Sequence, residues 1–346
     1  MSVRRRAMKC VSFACFSAFV AVAAFGQTVS LPVVNHGFES PVLPPGAFAV
    51  ATPPAGWSAY GPINNGNRSV GALNPATTTL YAVPPPEGAN VGVVFLMDNP
   101  QNMAFFSNQE AGLQQTLASV LLTGRRYTLT VEVGNIAVFS AAPFAFGGFP
   151  GYRIDLMAGG VVLASDLNSL LPAEGNFLTS TIQVDIGGSH PFAGQPLRIR
   201  LVNLNAAVGI EVNFDDVRLD STPIAVWTGL GSGLPGAGGL PIATGTGTFL
   251  PGEPNAVSLT GATSSAPAYL VIGGSGLFAP YLGGVLVPFP DLLLFLPTDA
   301  SGSAALPFVL ASALPSGLML YSQWFVLDAT APQGISISDG LLVVVP

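Results

Sequence analysis

Apolar and polar residues alternate along much of the chain between residues 149 and 220. Tyr152, Ile154 and Leu156 alternate with polar neighbours before a pair of glycines turns the chain. Further apolar runs follow at residues 161–164, 179–185, 197–202 and 212–219. A period of two residues, broken by clusters of Gly, Asn and Pro, is typical of antiparallel strands joined by short turns. The pattern therefore predicts an all-β sandwich whose last strand carries the acidic pair Asp215–Asp216.

The alternation continues over residues 126–134 and breaks in the connection that follows. Residues 137–151 read AVFSAAPFAFGGFPG, which places four phenylalanines in a Gly- and Pro-rich segment. Loops at the ends of sandwiches commonly form binding surfaces, and aromatic faces stack on sugars or on flat hydrophobic ligands. The alternative is that these rings only plug the end of the sandwich. The candidate ligand-binding residues are Tyr60, Phe105, Phe106, Phe139, Phe144, Phe146, Phe149 and Tyr152.

Composition agrees with a β-rich chain that turns often. The 346 residues include 41 Gly and 31 Pro, and 49% are hydrophobic while 8% are charged. This length accommodates two domains. After the N-terminus no uncharged apolar run reaches the roughly 20 residues that a spanning helix needs, so we expect no membrane span in the mature chain.

Residues 1–26 have the features of a signal peptide. Three arginines and Lys9 precede an apolar run over residues 11–24, which ends in small residues. The alternative is an N-terminal membrane anchor. We expect a secreted or cell-envelope protein. Both cysteines, Cys10 and Cys15, lie in this segment, so the mature chain cannot form disulfides and depends on core packing or a bound ion.

Removal of this segment leaves a strongly acidic chain. Seven basic and 18 acidic residues remain, a net charge of −11, and Lys9 is the only lysine in the sequence. Such a surface disfavours nucleic acid and anionic membranes, and it suits a cation or a neutral ligand.

Five phrases of the sequence carry a family resemblance. They are NHGFESPVLPPG, PPEGANVG, QQTLASVLLTGRRYTLTVEVGN, FPGYRIDLMAGGVVLA and VNFDDVRLD, spread over residues 28–222. Together they resemble a secreted calcium-binding jelly-roll family that includes the hapalindole-type (Stig) indole alkaloid cyclases and is similar to carbohydrate-binding modules. The resemblance implies a jelly-roll, galactose-binding-like β-sandwich over residues 27–222.

The composition changes after residue 222. Residues 224–346 contain no Lys or Arg. Residues 223–247 are rich in Gly, Pro and Ala, which predicts a linker or an opening loop. Residues 248–346 resemble a small β-rich module of secreted bacterial proteins, and we expect a second, smaller β-sandwich there.

The resemblance also implies a calcium site. The first and last strands of jelly-roll carbohydrate modules are neighbours, so an early acid, Glu39, can meet Asp215 and Asp216 around one Ca²⁺. That ion takes roughly 6–8 oxygen ligands and tolerates irregular geometry. The two histidines are isolated, so no transition-metal site is expected. The alternative is that the acid pair is an exposed strand end paired with an arginine such as Arg218.

Catalytic signals are sparse in this sequence. It has no GxSxG elbow, no triad-like spacing and no cysteine in the predicted mature chain. Glu132 and Glu211 are candidates only as carboxylates that a glycosidase would need. The resemblance implies that an aspartic acid in an aromatic pocket protonates the substrate, and Asp215 would be that acid, with its pKa raised by burial.

These features favour an exported, non-catalytic, calcium-stabilised protein that binds a glycan or another surface ligand. The first alternative is a calcium-dependent cyclase or isomerase that uses Asp215 as its acid and takes a small hydrophobic ligand. The second alternative is a structural protein of the cell envelope.

Overall fold

The computed structural model describes residues 28–64, 66–97, 109–141, 144–236, 238–331 and 333–346. These residues form 25 β-strands joined by turns and loops, without an α-helix, which confirms the predicted all-β class. No helix of the described residues is long and apolar enough to span a membrane. The predicted signal peptide and the candidate residues Phe105 and Phe106 lie outside the described residues.

The first fourteen strands include a sandwich of two antiparallel sheets, built by twelve of them. The strands are β1 (Val29–Leu31), β2 (Phe48–Ala49), β3 (Ser58–Tyr60), β4 (Arg68–Leu73), β5 (Val91–Leu96), β6 (Ala111–Val120), β7 (Arg125–Asn135), β8 (Ser140–Ala141), β9 (Phe144–Ala145), β10 (Tyr152–Ala158), β11 (Val161–Leu167), β12 (Asn176–Ile186), β13 (Pro196–Asn203) and β14 (Glu211–Pro223). The larger sheet has the order β12-β7-β14-β5-β4-β2, with β1 beside β14, and the smaller has the order β11-β10-β13-β6-β3. Strands β8 and β9 form a separate hairpin.

Alternation along each strand fills the space between the two sheets. On β7 the side chains of Tyr127, Leu129, Val131 and Val133 are buried, while the residues between them face outward. They join the inward side chains of the other strands in one continuous apolar core. Each large aliphatic side chain that is fully buried contributes about 1.5–3 kcal/mol, so this core holds the sandwich closed without disulfides.

A second apolar cluster covers the outer face of the larger sheet. It forms because β5 is buried on both sides, with Val94 and Leu96 facing the core and Val91, Val93 and Phe95 facing outward. We call it the outer cluster. Its buried members are Leu73, Val91, Val93, Phe95, Met97, Ile136 and Ile210, and Val50, Leu80, Tyr81, Phe139, Phe144, Phe146 and Phe177 pack against them.

The remaining eleven strands form sheets of their own. They are β15 (Val226–Gly231), β16 (Ile242–Thr246), β17 (Pro254–Thr260), β18 (Ala268–Gly273), β19 (Gly276–Tyr281), β20 (Gly284–Pro288), β21 (Leu292–Phe295), β22 (Ala304–Val309), β23 (Met319–Leu327), β24 (Ile335–Ile337) and β25 (Gly340–Val344). A six-stranded sheet has the order β15-β25-β23-β18-β21, with β24 beside β23, and β16-β17-β22 form a second sheet. An apolar core that contains the fully buried Trp324 lies in this region. The region 223–247, predicted as a linker or opening loop, contains β15 and β16, and the domain boundaries themselves stay a prediction.

One arginine joins the sandwich to the second set of sheets. Arg126 on β7 bonds to Asp185 on the neighbouring β12, with 2.7 Å between Nε and Oδ1, and its other nitrogens bond to the carboxylate of Glu253. Its guanidinium is mostly enclosed, so this pair is less screened by solvent than an ordinary surface ion pair.

Candidate functional site

Strand β14 presents three polar side chains on the outer face of the larger sheet. Val212 and Phe214 point into the core, so the period of two turns Glu211, Asn213 and Asp215 outward. All three are nevertheless buried, with 6%, 0% and 0% of their surfaces exposed. Polar groups buried in this way need hydrogen-bond partners, and two of the three are acids.

A β-bulge ends this row of outward residues. The pairing of β14 with β7 shifts register between Asp215 and Arg218, and Asp216 has a φ of 44°. Strict alternation would place Asp216 in the core beside Phe214. The extra residue instead returns Val217 to the core and leaves Asp216 at the surface, where Arg218 Nε bonds to its Oδ1 at 2.6 Å.

Asp215 is an acid held out of water. Its Oδ2 accepts the backbone N–H of Glu87 at 2.9 Å, and its Oδ1 accepts that of Asp216 at 2.8 Å. Burial raises the pKa of Asp215 to about 8, and the nearby carboxylates of Glu87 and Asp216 add to the rise. The two N–H bonds favour the carboxylate but do not offset the loss of solvation. Asp215 therefore carries a proton at neutral pH.

A hydrogen-bond chain connects Tyr81 to the second acid. The Tyr81 hydroxyl donates to Asn213 Oδ1 at 2.6 Å, and Asn213 Nδ2 donates to Glu211 Oε1 at 2.9 Å. Burial raises the pKa of Glu211 to about 7. Burial also raises the pKa of Tyr81 well above its usual value, and the charges of Glu211 and Asp215 act in the same direction. Tyr81 thus stays a hydroxyl donor and lies close to both acids.

Aromatic rings surround this row. Tyr81 stacks on Phe177 with ring centroids 4.4 Å apart, over the backbone of Gly134, where a Cβ would lie 2.5 Å from Phe177. Phe95 meets Phe144 edge to face at 5.3 Å. These faces form an apolar wall beside the acids that suits a flat hydrophobic ligand or a positive charge.

The predicted ligand-binding residues that the structure describes fall into three groups. Phe139, Phe144 and Phe146 belong to the outer cluster, and Phe139 stacks on Phe146 at 4.2 Å. Phe149 and Tyr152 lie in the core between the sheets. Tyr60 lies on the smaller sheet under the guanidinium of Arg200, 4.2 Å from the ring centroid, beside an open cavity of about 450 Å³. Only the first group contributes to the aromatic wall beside β14.

The predicted calcium ligands bond to separate groups of the protein. Glu39 Oε1 accepts the backbone N–H groups of Ala89 and Asn90, at 2.8 and 2.7 Å, while Asp215 and Asp216 have the partners given above. In the described parts of the chain no group of three or more His, Cys, Asp or Glu side chains is arranged to hold a metal ion. Any calcium site here needs amide or backbone oxygens to complete it.

Comparisons with known proteins connect this arrangement to one family. The sequence model described as HpiC1-like, HpiC1 cyclase, matches residues 29–220, which is more than half of the chain. A Stig cyclase, Fisc from Fischerella sp. TAU, solved in complex with (3Z)-3-(1-methyl-2-pyrrolidinylidene)-3H-indole, is 36% identical with a TM-score of 0.51; the match covers 57% of this chain and 99% of that one. The chain belongs to the HpiC1-like cyclase family.

Other solved members give the same picture. A cyclase from Fischerella sp. TAU in complex with 4-(1H-indol-3-yl)butan-2-one is 36% identical with a TM-score of 0.52, over 56% of this chain and 98% of that one. An apo form cyclase from Fischerella sp. is 35% identical, over 57% of this chain and 97% of that one, with a TM-score of 0.52. The search of the curated proteins found no match.

Membership in the HpiC1-like family corrects the leading functional prediction. The expectation of a non-catalytic protein that binds a glycan is wrong, because the matching family and its solved members are cyclases, two of them bound to indole compounds. The expectation rested on missing catalytic motifs. Such motifs belong to nucleophilic and metal-dependent enzymes, whereas acid-catalysed cyclisation needs one placed acid.

Sequence reasoning missed three contributors to the site. Tyr81 lies between strands without a local pattern, and Phe177 and Phe95 read as ordinary strand residues. Glu211 and Asn213 carried a usable signal, since they precede Asp215 at intervals of two on one predicted strand. Tyr81, Phe177 and Phe95 lie near β14 only because of the order of strands in the sheet.

Glu211 makes a pH-dependent contribution to stability that a variant can isolate. Its pKa rises from 4.5 to about 7 on folding. Between these values the unfolded chain releases the proton and the folded chain keeps it, so stability falls as pH rises through the window and is constant above it. Relative to E211Q, the wild-type free energy of unfolding should drop by about 3 kcal/mol between pH 4.5 and 7, measured by urea denaturation. Parallel curves for the two proteins would contradict the burial of a neutral Glu211; exposed Glu174→Gln is the matched control.

Proposed function

We propose that the sandwich of this chain is a cyclase that protonates a small hydrophobic substrate bearing an indole, with Asp215 as the general acid. The observation that carries the proposal is the neutral, fully buried carboxyl of Asp215 beside the aromatic wall. Family membership and the indole compounds bound by two solved relatives support it.

The proposed chemistry begins with proton transfer from Asp215 to an unsaturated carbon of the substrate. This leaves a carboxylate and a carbocation, which the aromatic faces stabilise by cation–π attraction. An electron-rich carbon of the same molecule then attacks the cation and closes the ring. The cyclised cation then loses a proton to Asp215, so the product is an isomer of the substrate and the acid is regenerated.

The surroundings of Asp215 suit this role at neutral pH. A general acid is most useful when its pKa lies near the working pH, and burial brings that of Asp215 to about 8. The N–H groups of Glu87 and Asp216 fix the carboxyl plane and stabilise the charge that appears after proton transfer. The outer cluster keeps water from quenching the cation.

Replacement of Asp215 by Asn should remove the acid while preserving shape. We expect D215N to lose at least about 100-fold in cyclisation rate and to bind 4-(1H-indol-3-yl)butan-2-one as wild type does. The assay follows conversion of indoles that carry an unsaturated side chain to isomers of equal mass by chromatography. The control is D220N, on the same strand beyond the bulge, where the carboxylate accepts the Ser30 hydroxyl at 2.5 Å and no other side-chain hydroxyl of the described residues. Full turnover by D215N would refute Asp215 as the proton donor.

Calcium binding is a separate proposal, supported by the family resemblance and by one local feature. Asn90 Oδ1 is buried without a hydrogen-bond partner among the described residues, on the segment whose N–H groups bond to Glu39. Glu39 and Asn90 would supply hard oxygen ligands there, and no catalytic step depends on the ion. Millimolar Ca²⁺ should raise the melting temperature of wild type and E174Q by several degrees, and that of E39Q much less. Equal melting temperatures with Ca²⁺ and with chelator would eliminate this site.

A further inference from the structure

Strand β14 carries two buried acids at opposite ends of one row, and the proposed proton transfer uses only one of them. Glu211 and Asp215 are four residues apart on the same face, so their Cα atoms lie about 13 Å apart at the usual strand rise. That span is comparable to a flat bicyclic ring with a short side chain. One ligand bound along the outer face can therefore reach both carboxyl groups.

The structure holds Glu211 in a fixed orientation. Asn213 uses its whole amide inside the protein, since Oδ1 accepts from Tyr81 and Nδ2 donates to Glu211 Oε1 and, at 3.2 Å, to Gly92 O. Because the Tyr81 hydroxyl donates, it determines which end of the Asn213 amide faces Glu211. Tyr81 is held in turn by its stack on Phe177.

One oxygen of Glu211 remains for a ligand. Glu211 is only 6% exposed, and no basic side chain of the described residues forms an ion pair with it. Its Oε2 has no hydrogen-bond partner in the described part of the chain, yet it is not among the fully enclosed polar atoms. A carboxyl oxygen so placed loses solvation without regaining a bond, which a polar ligand atom would restore.

The chemistry of this oxygen matches a ring nitrogen. Glu211 pairs across the sheet with Phe95, which belongs to the aromatic wall, so its free oxygen lies at the edge where a flat ring would stack. When Glu211 is ionised, its Oε2 accepts a hydrogen bond from an indole N–H, since Oε1 is already bonded to Asn213. In its protonated form Glu211 also donates to the bare nitrogen of a 3H-indole.

We propose that Glu211, oriented by Asn213 and Tyr81, binds the indole nitrogen of the substrate and so determines which carbon lies at Asp215. This inference rests on the proposed cyclase function and adds the residue that fixes the direction of the substrate. Glu211 binds substrate directly, whereas Tyr81 is a positioning residue that acts through Asn213.

Two probes distinguish the contribution of the indole nitrogen to affinity from that of the rest of the ligand. One is 4-(1H-indol-3-yl)butan-2-one, and the other is its benzofuran analogue, which has the same shape with oxygen in place of N–H. Their affinities for the full chain are measured by calorimetry at pH 9, well above the pKa of Glu211 of about 7, so that its Oε2 is an acceptor. We expect wild type to prefer the indole by about tenfold, the worth of one good hydrogen bond in a buried site.

Four variants test whether Glu211 produces this preference. The preference should fall to about twofold or less in both E211L and E211Q, because the Gln oxygen accepts from Asn213 Nδ2 and turns its NH2 toward the ligand, and it should persist in the surface control E174Q. In Y81F it should fall to about threefold, because Asn213 loses the donor that fixes its amide. Y81F also keeps the test decisive if E211L does not fold.

The outcomes distinguish this inference from the proposed function. Equal binding of the two probes to wild type, or an unchanged preference in both E211L and Y81F, overturns the role of Glu211. The loss of turnover in D215N would still support the cyclase. Wild type that binds neither probe overturns both.

Discussion

The bulge in β14 is the constraint on which the site depends. A regular strand would carry Asp216 into the core beside Phe214, and a charge there would cost several kcal/mol of stability. One extra residue returns Val217 to the core and ends the outward row at Asp215. The Val217 N–H then bonds to His36 O at 3.1 Å, which fastens the N-terminal loop over the same point. The bulge thus positions Asp215, the core residue Val217 and the N-terminal loop at His36.

The apolar cover and the acidity of the site are two results of the same packing. Burial under the outer cluster removes solvent from Glu211 and Asp215 and raises the pKa of both. The rings that exclude water also offer flat faces to a hydrophobic ligand and to a cation. A more exposed site would lose the neutral acid and the apolar wall together. The sandwich core, which is separate and continuous, supplies the stability that these buried acids reduce.

Local pattern predicts much of the fold because burial follows a period of two. The alternation around Tyr127, Leu129 and Val131 identifies β7, and the Asp of the NFD phrase is the acid that the family resemblance implies. The sequence alone does not predict the bulge, since the pairing register of β14 depends on the neighbouring strand. Phe177 comes near Asn213 solely because β12, β7 and β14 are adjacent.

The aromatic connection shows the same limit. Phe144 and Phe149 lie five residues apart in one phrase, yet the first joins the outer cluster and the second joins the core. Composition predicts that such rings are near a sandwich end but not which side of a sheet each one faces. The leading functional prediction was wrong for a related reason. A single buried carboxyl among phenylalanines forms no recognisable sequence motif.

The ionisation of Asp215 tests the account most directly. Aspartate labelled with ¹³C at the side-chain carboxyl, with the signal assigned by its loss in D215N, reports this one group by NMR. We expect a titration centred near pH 8 in the folded protein. A carboxyl that is already ionised at pH 5 would contradict it, because Asp215 would then have no proton to donate.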